Sequence, residues 1–522
     1  MKRHLLQYKG RNAWIILATI IISGTNAFLA MIHMFALDSL LEGEFHTFLT
    51  WYARYTIIFI CLLLVSYLSA IYKEKTIQKM IGDIRNEITN SIARNSFEQY
   101  HKNDPGTYIS WLSNDLKIVE QGFNNFYDLL STFFTVVTSL LALLTLDVYI
   151  VLGTLILSIV LIQAPKFLTK YLEKATEKFT EENARFTSLL EDMLKGYETL
   201  FFSNRLKFLV NKIKQSNDTL IKETIRLTKT SAKIERIIQF LSLISQMLIF
   251  VFTGILVNIS RITFGSFLTV GQLAGTALST LSQFSSLKVA IGATQVIFDK
   301  FAGFHTQDKL DYIAPKKQHY DLSMKNISYQ TSEKVIFDNF SYNFAYKKKY
   351  LLTGGSGSGK STFFKIISGA LPIHKGTIQL GEKIYYTANE KKLNPFVHHA
   401  PQDSYLFRET LYENITLGEN ISHEKIKNIL SKLNLGHLSL DMQIDKKNTN
   451  LSGGQKQRIN IARALVSDAP ILLFDEVTAN LDEENTKQVE EYILAQDRTI
   501  LYITHREPSK LSHLFDEHLK LG

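Results

Sequence analysis

Gly354-Gly355-Ser356-Gly357-Ser358-Gly359-Lys360-Ser361 decides how the second half of the chain is read. The spacing is G-x-x-x-x-G-K-[ST], a loop whose glycines let backbone N–H groups turn inward around an anion. A helix is expected to follow, and its N-terminal dipole adds to the same cradle. Lys360 is placed to reach the outer phosphates of a nucleoside triphosphate, and the Ser361 hydroxyl to sit on Mg²⁺. Alone, the string implies a nucleoside triphosphatase and no more. Downstream, Ile471-Leu472-Leu473-Phe474-Asp475-Glu476 is an apolar run ending in two carboxylates. Such a run reads as a buried strand that delivers its terminal side chains to a fixed place. Thr499–Thr504 is a second apolar strand, followed by His505.

Leu451-Ser452-Gly453-Gly454-Gln455 narrows the reading. With the phosphate loop it resembles the nucleotide-binding domain of ATP-binding-cassette (ABC) proteins, where this second string is the signature loop. Asp475-Glu476 then resembles Walker B, Ala479-Asn480-Leu481-Asp482 the D-loop, Gln402 the Q-loop glutamine and His505 the switch histidine. Tyr329 stands where the family sets an aromatic against adenine, although a packed strand tyrosine is the alternative. The resemblance implies ATP contacts from Tyr329, Gly354, Gly355, Ser356, Gly357, Ser358, Gly359, Lys360, Ser361 and Thr362. It implies catalytic roles for Glu476, His505, Gln402 and Lys360, and Mg²⁺ held through Ser361, Gln402 and Asp475. Ser452, Gly453, Gly454 and Gln455 would contact the ATP of a partner copy. Two departures stand out. The stretch before the signature reads Asp445-Lys446-Lys447-Asn448-Thr449-Asn450, and the chain after His505 is shorter than the family's usual tail. The first puts the usual communication with the membrane helices in doubt, and the second implies a shorter last subdomain.

The first 290 residues have a different character. Formal charges are absent from Ala13–Leu37, Tyr55–Tyr72, Leu129–Leu146, Val148–Pro165 and Ile237–Ser260, and a sixth apolar stretch runs from near Val270 to Leu287. A bilayer-spanning helix needs about 20 apolar residues, so six spans are expected, the shorter ones being individually compatible with buried core helices. Asp147 alone separates the third and fourth, which predicts a tight hairpin. The N-terminus carries Lys2, Arg3, Lys9 and Arg11, whereas Asp38–Leu49 has Asp38, Glu42 and Glu44 and no Lys or Arg. The positive-inside rule then puts the N-terminus and the nucleotide-binding part in the cytoplasm. The N-terminal stretch does not read as a cleavable signal peptide. Charged residues are only 20% of the chain, and its net charge of +9 fits inner loops facing anionic lipid without invoking nucleic acid. The single cysteine, Cys61, lies inside the second span and offers neither a disulfide nor a metal site.

Two long inner loops, roughly 73–125 and 166–236, are charged and helical in pattern. Gly106–Asp115 resembles the family's first coupling region, Leu190–Leu200 the approach to the second, and Leu268–Leu273 the start of the sixth helix. The expected fold is therefore an N-terminal all-α membrane domain of six transmembrane helices with long cytoplasmic extensions, plus a C-terminal α/β P-loop ATPase domain of ABC type. The expected boundaries are 1–306 for the membrane domain, 307–320 for a linker and 321–522 for the ATPase domain. One cassette and one set of spans imply a half-transporter in the cell membrane, working with a second half. An intact Glu476 and signature favour a homodimer over a heterodimer. The implied function is ATP-driven export of a hydrophobic or amphipathic peptide, lipid or drug; the alternative is an ATP-gated channel or a sensor.

Overall fold

The computed structural model describes residues 1–302, 320–331, 334–355, 357–381, 383–387, 390–391, 396–402, 405–444, 451–504 and 512–521. Two units separate. One holds Met1–Ser91 and the chain from Pro105 through the last long helix; the other holds Ile92–Asp104 and the chain from Tyr320 onward.

The helical unit begins with a short α1 (Lys2–Gln7) and continues through α2 (Lys9–Leu41) and α3 (Phe45–Arg94). After α4 (Phe97–His101) and α5 (Pro105–Ser110), a π-helical stretch Trp111–Asp115 leads into α6 (Leu116–Leu144). Then come α7 (Val148–Lys195), α8 (Tyr197–Phe202), α9 (Leu206–Asn258) and α10 (Phe264–Ala302). Among the described residues four helical stretches are long and apolar enough to cross a membrane: Lys9–Leu41, Phe45–Arg94, Pro105–Leu144 and Leu206–Asn258. They carry the expected first, second, third and fifth spans. Val148–Leu161, at the start of α7, is a shorter apolar stretch where the fourth was expected, and the sixth falls on α10.

The α6–α7 connection is as tight as Asp147 suggested. Its carboxylate caps α7 by accepting from the Tyr149 N–H at 2.7 Å, and its other oxygen pairs with Arg261, before α10. Asp38, near the end of α2, closes the same kind of junction. It accepts from the Gly265 N–H at 2.8 Å and the Thr263 hydroxyl at 2.7 Å, satisfying donors at the start of α10 that a helix leaves open. Close packing does the rest. A Cβ on Gly271 would lie 2.1 Å from Phe250 Cζ, and one on Gly122 2.4 Å from Thr294 Cγ2, so α9 against α10 and α6 against α10 approach by means of small residues.

Gly106–Asp115, the stretch that resembles the family's first coupling region, is helical. Those residues continue into α6, and the separate short helix is α4, about ten residues earlier. Ser96 sets it up through a reciprocal capping box with Gln99, and Pro105 opens the next helix. Ile92–Asp104 groups with the ATPase-type unit rather than with the helices. The second approach, Leu190–Leu200, holds the break at Gly196 between α7 and α8.

The other unit has two sheets. β1 (Leu322–Gln330), β2 (Val335–Phe344), β4 (Lys375–Leu380), β5 (Lys383–Thr387) and β6 (Glu390–Lys391) form an antiparallel sheet, ordered β2-β1-β4-β5-β6. β3 (Lys349–Thr353), β7 (Val397–Ala400), β8 (Ile471–Asp475), β9 (Thr499–Ile503) and β10 (Glu517–Lys520) form a parallel sheet, ordered β10-β3-β9-β8-β7. Around them lie α11 (Lys360–Ile367), α12 (Leu411–Thr416), α13 (His423–Lys432), α14 (Gly453–Val466) and α15 (Glu483–Leu494). β8 and β9 are buried at every position, as unbroken apolar runs in a covered parallel sheet must be. Phe363, Phe364, Ile366 and Ile367 of α11 are fully buried beside Leu352 of β3 and Leu473 of β8. Each such side chain stabilises the fold by about 1.5–3 kcal/mol relative to exposure.

Candidate active site

The parallel register brings the carboxyl ends of the strands to one edge, where open α/β sheets bind ligands. β3 runs into the phosphate loop, β8 into Asp475-Glu476, β7 toward Gln402 and β9 into Thr504. Asp475 pairs in register with Ile503. His505 and Ser356 lie outside the described residues, as does the altered stretch Asp445–Asn450.

The loop's glycines are there for steric reasons. Gly359 has φ of +92°, and a Cβ on it would sit 2.6 Å from Ile336 Cγ2. A Cβ on Gly354 would meet the Leu521 carbonyl oxygen at 2.4 Å. Lys360 opens α11 and is buried to 7% exposure. Its ammonium donates to the carbonyls of Gly354 at 2.8 Å and Gly355 at 3.0 Å, so the charge is held inside the loop. Ser361 and Thr362 follow on the first turn of α11. The Ser358 hydroxyl is buried with no hydrogen-bond partner among the described residues. Leaving such a group unpaired costs about 1–3 kcal/mol, so an orphaned donor beside a cradled ammonium fits an anionic ligand.

Glu476 sits one residue past β8. Its φ is +50°, a conformation costly for a non-glycine residue and typical of functional sites. Its N–H donates to the Ile503 carbonyl at 3.1 Å, which ties the bend to β9. Its side chain accepts from Gln402 Nε2 at 2.9 Å. Two residues 74 positions apart, each singled out separately in the sequence, therefore meet. Asp475, next to them, is buried. Among the described residues no three His, Cys, Asp or Glu cluster as a metal cage. One carboxylate, one serine hydroxyl and an amide oxygen instead fit a hard divalent cation that completes its shell with phosphate and water.

The signature residues form a helix start. Ser452 caps α14 in a reciprocal box: its N–H donates to Gln455 Oε1 at 2.8 Å and its hydroxyl accepts from the Gln455 N–H at 3.2 Å. A Cβ on Gly453 would meet nothing within 4 Å, whereas one on Gly454 would lie 2.9 Å from Leu481 Cδ2. Gly453 thus leaves the helix start open, while Gly454 lets the D-loop close on it. Gln457 Oε1 accepts from the Asn480 N–H at 3.1 Å and fixes that contact.

Sequence reasoning missed the struts. Asn460 Nδ2 donates to the Pro401 carbonyl at 2.9 Å, linking α14 to the residue before Gln402. Arg463, buried one turn further on, donates to the carbonyls of Asn414 and Tyr405, and to Asn414 Oδ1 at 3.0 Å. Helical spacing places Asn460 and Arg463 on one face, but no local pattern says what they touch. Tyr329, on β1, stacks on His374, with ring centroids 5.2 Å apart and planes 3° from parallel. Burial first, and then the Glu98 carboxylate of α4, push the Tyr329 hydroxyl above its usual range. His398 and His399 of β7 are both pushed down to about 4, burial being the main cause.

A phosphate cradle, a bent carboxylate bonded to a glutamine, and a capped helix start define a P-loop nucleotide-binding domain, carried here on the same chain as a bundle of long apolar helices. Residues 337–479 match the family "ABC transporter" and residues 13–281 the family "ABC transporter transmembrane region". The chain belongs to the ABC transporters and has the architecture of an exporter half-transporter. It is 28% identical over 394 residues to "Lactococcin-A transport/processing ATP-binding protein LcnC" of Lactococcus lactis subsp. lactis, covering 72% of this chain and 52% of that one. It is 26% identical over 458 residues to the "ATP-dependent lipid A-core flippase" of Desulfotalea psychrophila, covering 84% and 80%. The chain spans about half the length of the lactococcin proteins it matches. Its fold superposes on "Structure of a bacterial Atm1-family ABC exporter with ATP bound" with a TM-score of 0.82 at 20% identity, over 98% of this chain and 93% of that one.

Proposed function

We propose that this chain hydrolyses ATP to drive export of a hydrophobic or amphipathic cargo across the cell membrane, as one half of a dimer. The Gln402–Glu476 hydrogen bond, at the strand edge that carries the phosphate loop, is the observation that carries this reading. Lys360, the loop N–H groups and Ser358 would hold the phosphates, with Tyr329 against adenine. Ser361, Asp475 and Gln402 would hold Mg²⁺, which when bound neutralises phosphate charge. Glu476 would accept a proton from the attacking water as the water oxygen bonds to the γ-phosphorus. The bond to the β-γ bridging oxygen breaks, releasing ADP and phosphate. His505 is assigned the γ-phosphate contact on the resemblance alone.

Ser452, Gly453, Gly454 and Gln455 would complete the site of a second copy, the helix start offering N–H groups to its γ-phosphate. Exposed aromatics support a partner. Phe201 and Phe202 of α8 are 55% and 83% exposed, and Tyr405 and Phe407, beyond Gln402, 59% and 50%. A homodimer is favoured because Glu476 and the signature are intact in this one chain. The proposed boundaries are 1–306 for the membrane domain, 307–320 for the linker and 321–522 for the ATPase domain, with the N-terminus and the ATPase domain in the cytoplasm. Among cargo classes, a peptide is favoured by LcnC's printed role in lactococcin transport, with lipid second.

The test is ATPase activity of purified protein in lipid nanodiscs, wild type beside Glu476→Gln, over peptides, lipids and dyes. Basal hydrolysis lost in the variant and stimulated by a peptide supports a self-sufficient exporter. A wild type that binds ATP but does not hydrolyse it refutes the homodimer and points to a missing half or to a gating role.

A further inference from the structure

β1 and β4 pair antiparallel with Ser328 opposite Lys375, so Tyr329 and His374 stand side by side across the strands. His374 is anchored at two backbone points. Its N–H donates to the Ser328 carbonyl at 3.0 Å, and its Nδ1 accepts from the Gln330 N–H at 3.2 Å. An accepting Nδ1 puts the proton of the neutral ring on Nε2. The imidazole is therefore held by the sheet and not by chance packing. It lies on Tyr329 at 5.2 Å and 3°, within the range of offset-stacked rings. One side of Tyr329 is thereby engaged by a ring that the backbone orients, although His374 itself is exposed.

A tyrosine that must stack on a nucleobase loses rotamer freedom when it binds, and fixing it beforehand lowers that cost. We propose that His374 is a positioning residue of the adenine site, a backing plate that holds the Tyr329 ring in the plane a base needs while leaving its other face for the base. The inference rests on the reading of Tyr329 as the adenine contact. It identifies a cross-strand Tyr–His pair, and not a lone tyrosine, as the base-recognition unit.

The test uses the full chain in nanodiscs and isothermal titration with Mg-ATP and with inorganic tripolyphosphate, which has no base. His374→Ala and His374→Asn are expected to weaken ATP about three- to tenfold, the range for ordering one side chain, and to leave tripolyphosphate unchanged. His374→Phe, which keeps a ring and loses the Gln330 bond, is expected to bind ATP within about twofold of wild type by the same reasoning. Asn keeps an acceptor but no ring. Rescue by Asn and not by Phe would mean that His374 only braces the strand, and would overturn the proposal. Equal weakening of tripolyphosphate, or no effect of His374→Ala, would overturn it too. Tyr329→Ala separates the two layers. If it lowers ATP but not tripolyphosphate affinity while His374→Ala does nothing, only the pairing fails; if it changes neither, the adenine reading fails and takes the pairing with it.

Discussion

The nucleotide-binding unit removes many large apolar side chains from solvent and leaves few outside, whereas the helical unit buries many small polar ones and leaves many large apolar ones outside. Phe344, Phe363, Phe364 and Phe474 have no exposure. Across the helices the buried positions include Ser23, Ser139, Thr154, Ser158, Ser242, Ser245 and Thr253, while Ile57 and Val251 are 64% and 65% exposed. Several buried hydroxyls are satisfied within their own helices: Thr154 donates to the Ile150 carbonyl at 2.8 Å and Thr253 to that of Ile249 at 2.7 Å, whereas Ser23 pairs across helices with Thr135 at 3.2 Å. The contrast teaches which force organises each half. One half folds by withdrawing apolar surface from water. The other has an apolar surroundings to match its surface, so close approach of small residues decides its packing.

The comparison is tested most severely by activity. Glu476→Gln should lower ATP turnover by at least about 100-fold, the usual worth of a positioned base, while ATP binding by titration stays intact. Loss of binding as well would place Glu476 in the architecture and not in the chemistry. Next comes truncation of apolar side chains. Phe474→Ala should cost about 3–5 kcal/mol by denaturant unfolding of the nucleotide-binding unit. Ile57→Ala, on the outer face of α3, should change stability by less than about 0.5 kcal/mol. Similar losses at both positions would erase the distinction drawn above.

Acid should act on the nucleotide-binding unit through His398 and His399. Both bind protons more weakly in the folded chain, at about 4 against an ordinary 6.5. Their contribution is complete above pH 6.5 and is lost as pH falls from there toward 4, because the unfolded chain takes up protons that the folded one refuses. The loss is on the order of 3 kcal/mol per histidine by the end of that window. Melting curves at pH 7 and pH 4.5 check it, and His398→Leu/His399→Phe should flatten the slope. A smaller effect is set in the helices. Gly271→Ala should cost about 1–3 kcal/mol by overpacking against Phe250, whereas Gly24→Ala, with open space around it, should be neutral in the same thermal assay.

Much of the site was legible because its chemistry depends on local spacing. The run from Gly354 to Ser361 fixes its own backbone, and the apolar run Ile471–Phe474 can only be a covered strand before Asp475-Glu476. The separate short helix α4 was not legible because its determinant, the Ser96–Gln99 capping box, is a weak local signal. Asn460, Arg463 and His374 were not legible at all. Their partners Pro401, Asn414 and Tyr329 lie 45 to 59 positions away, and nothing in a one-dimensional pattern encodes such pairings.

By itself, the sequence determined that this chain joins apolar helices to a phosphate-binding domain, because backbone cradles and solvent matching are written in contiguous residues. The tertiary structure alone decided that Gln402 reaches Glu476, that Lys360 turns into its own loop, and that His374 backs Tyr329. Those meetings depend on strand register and on which helix braces which loop, and they exist only once distant segments have packed.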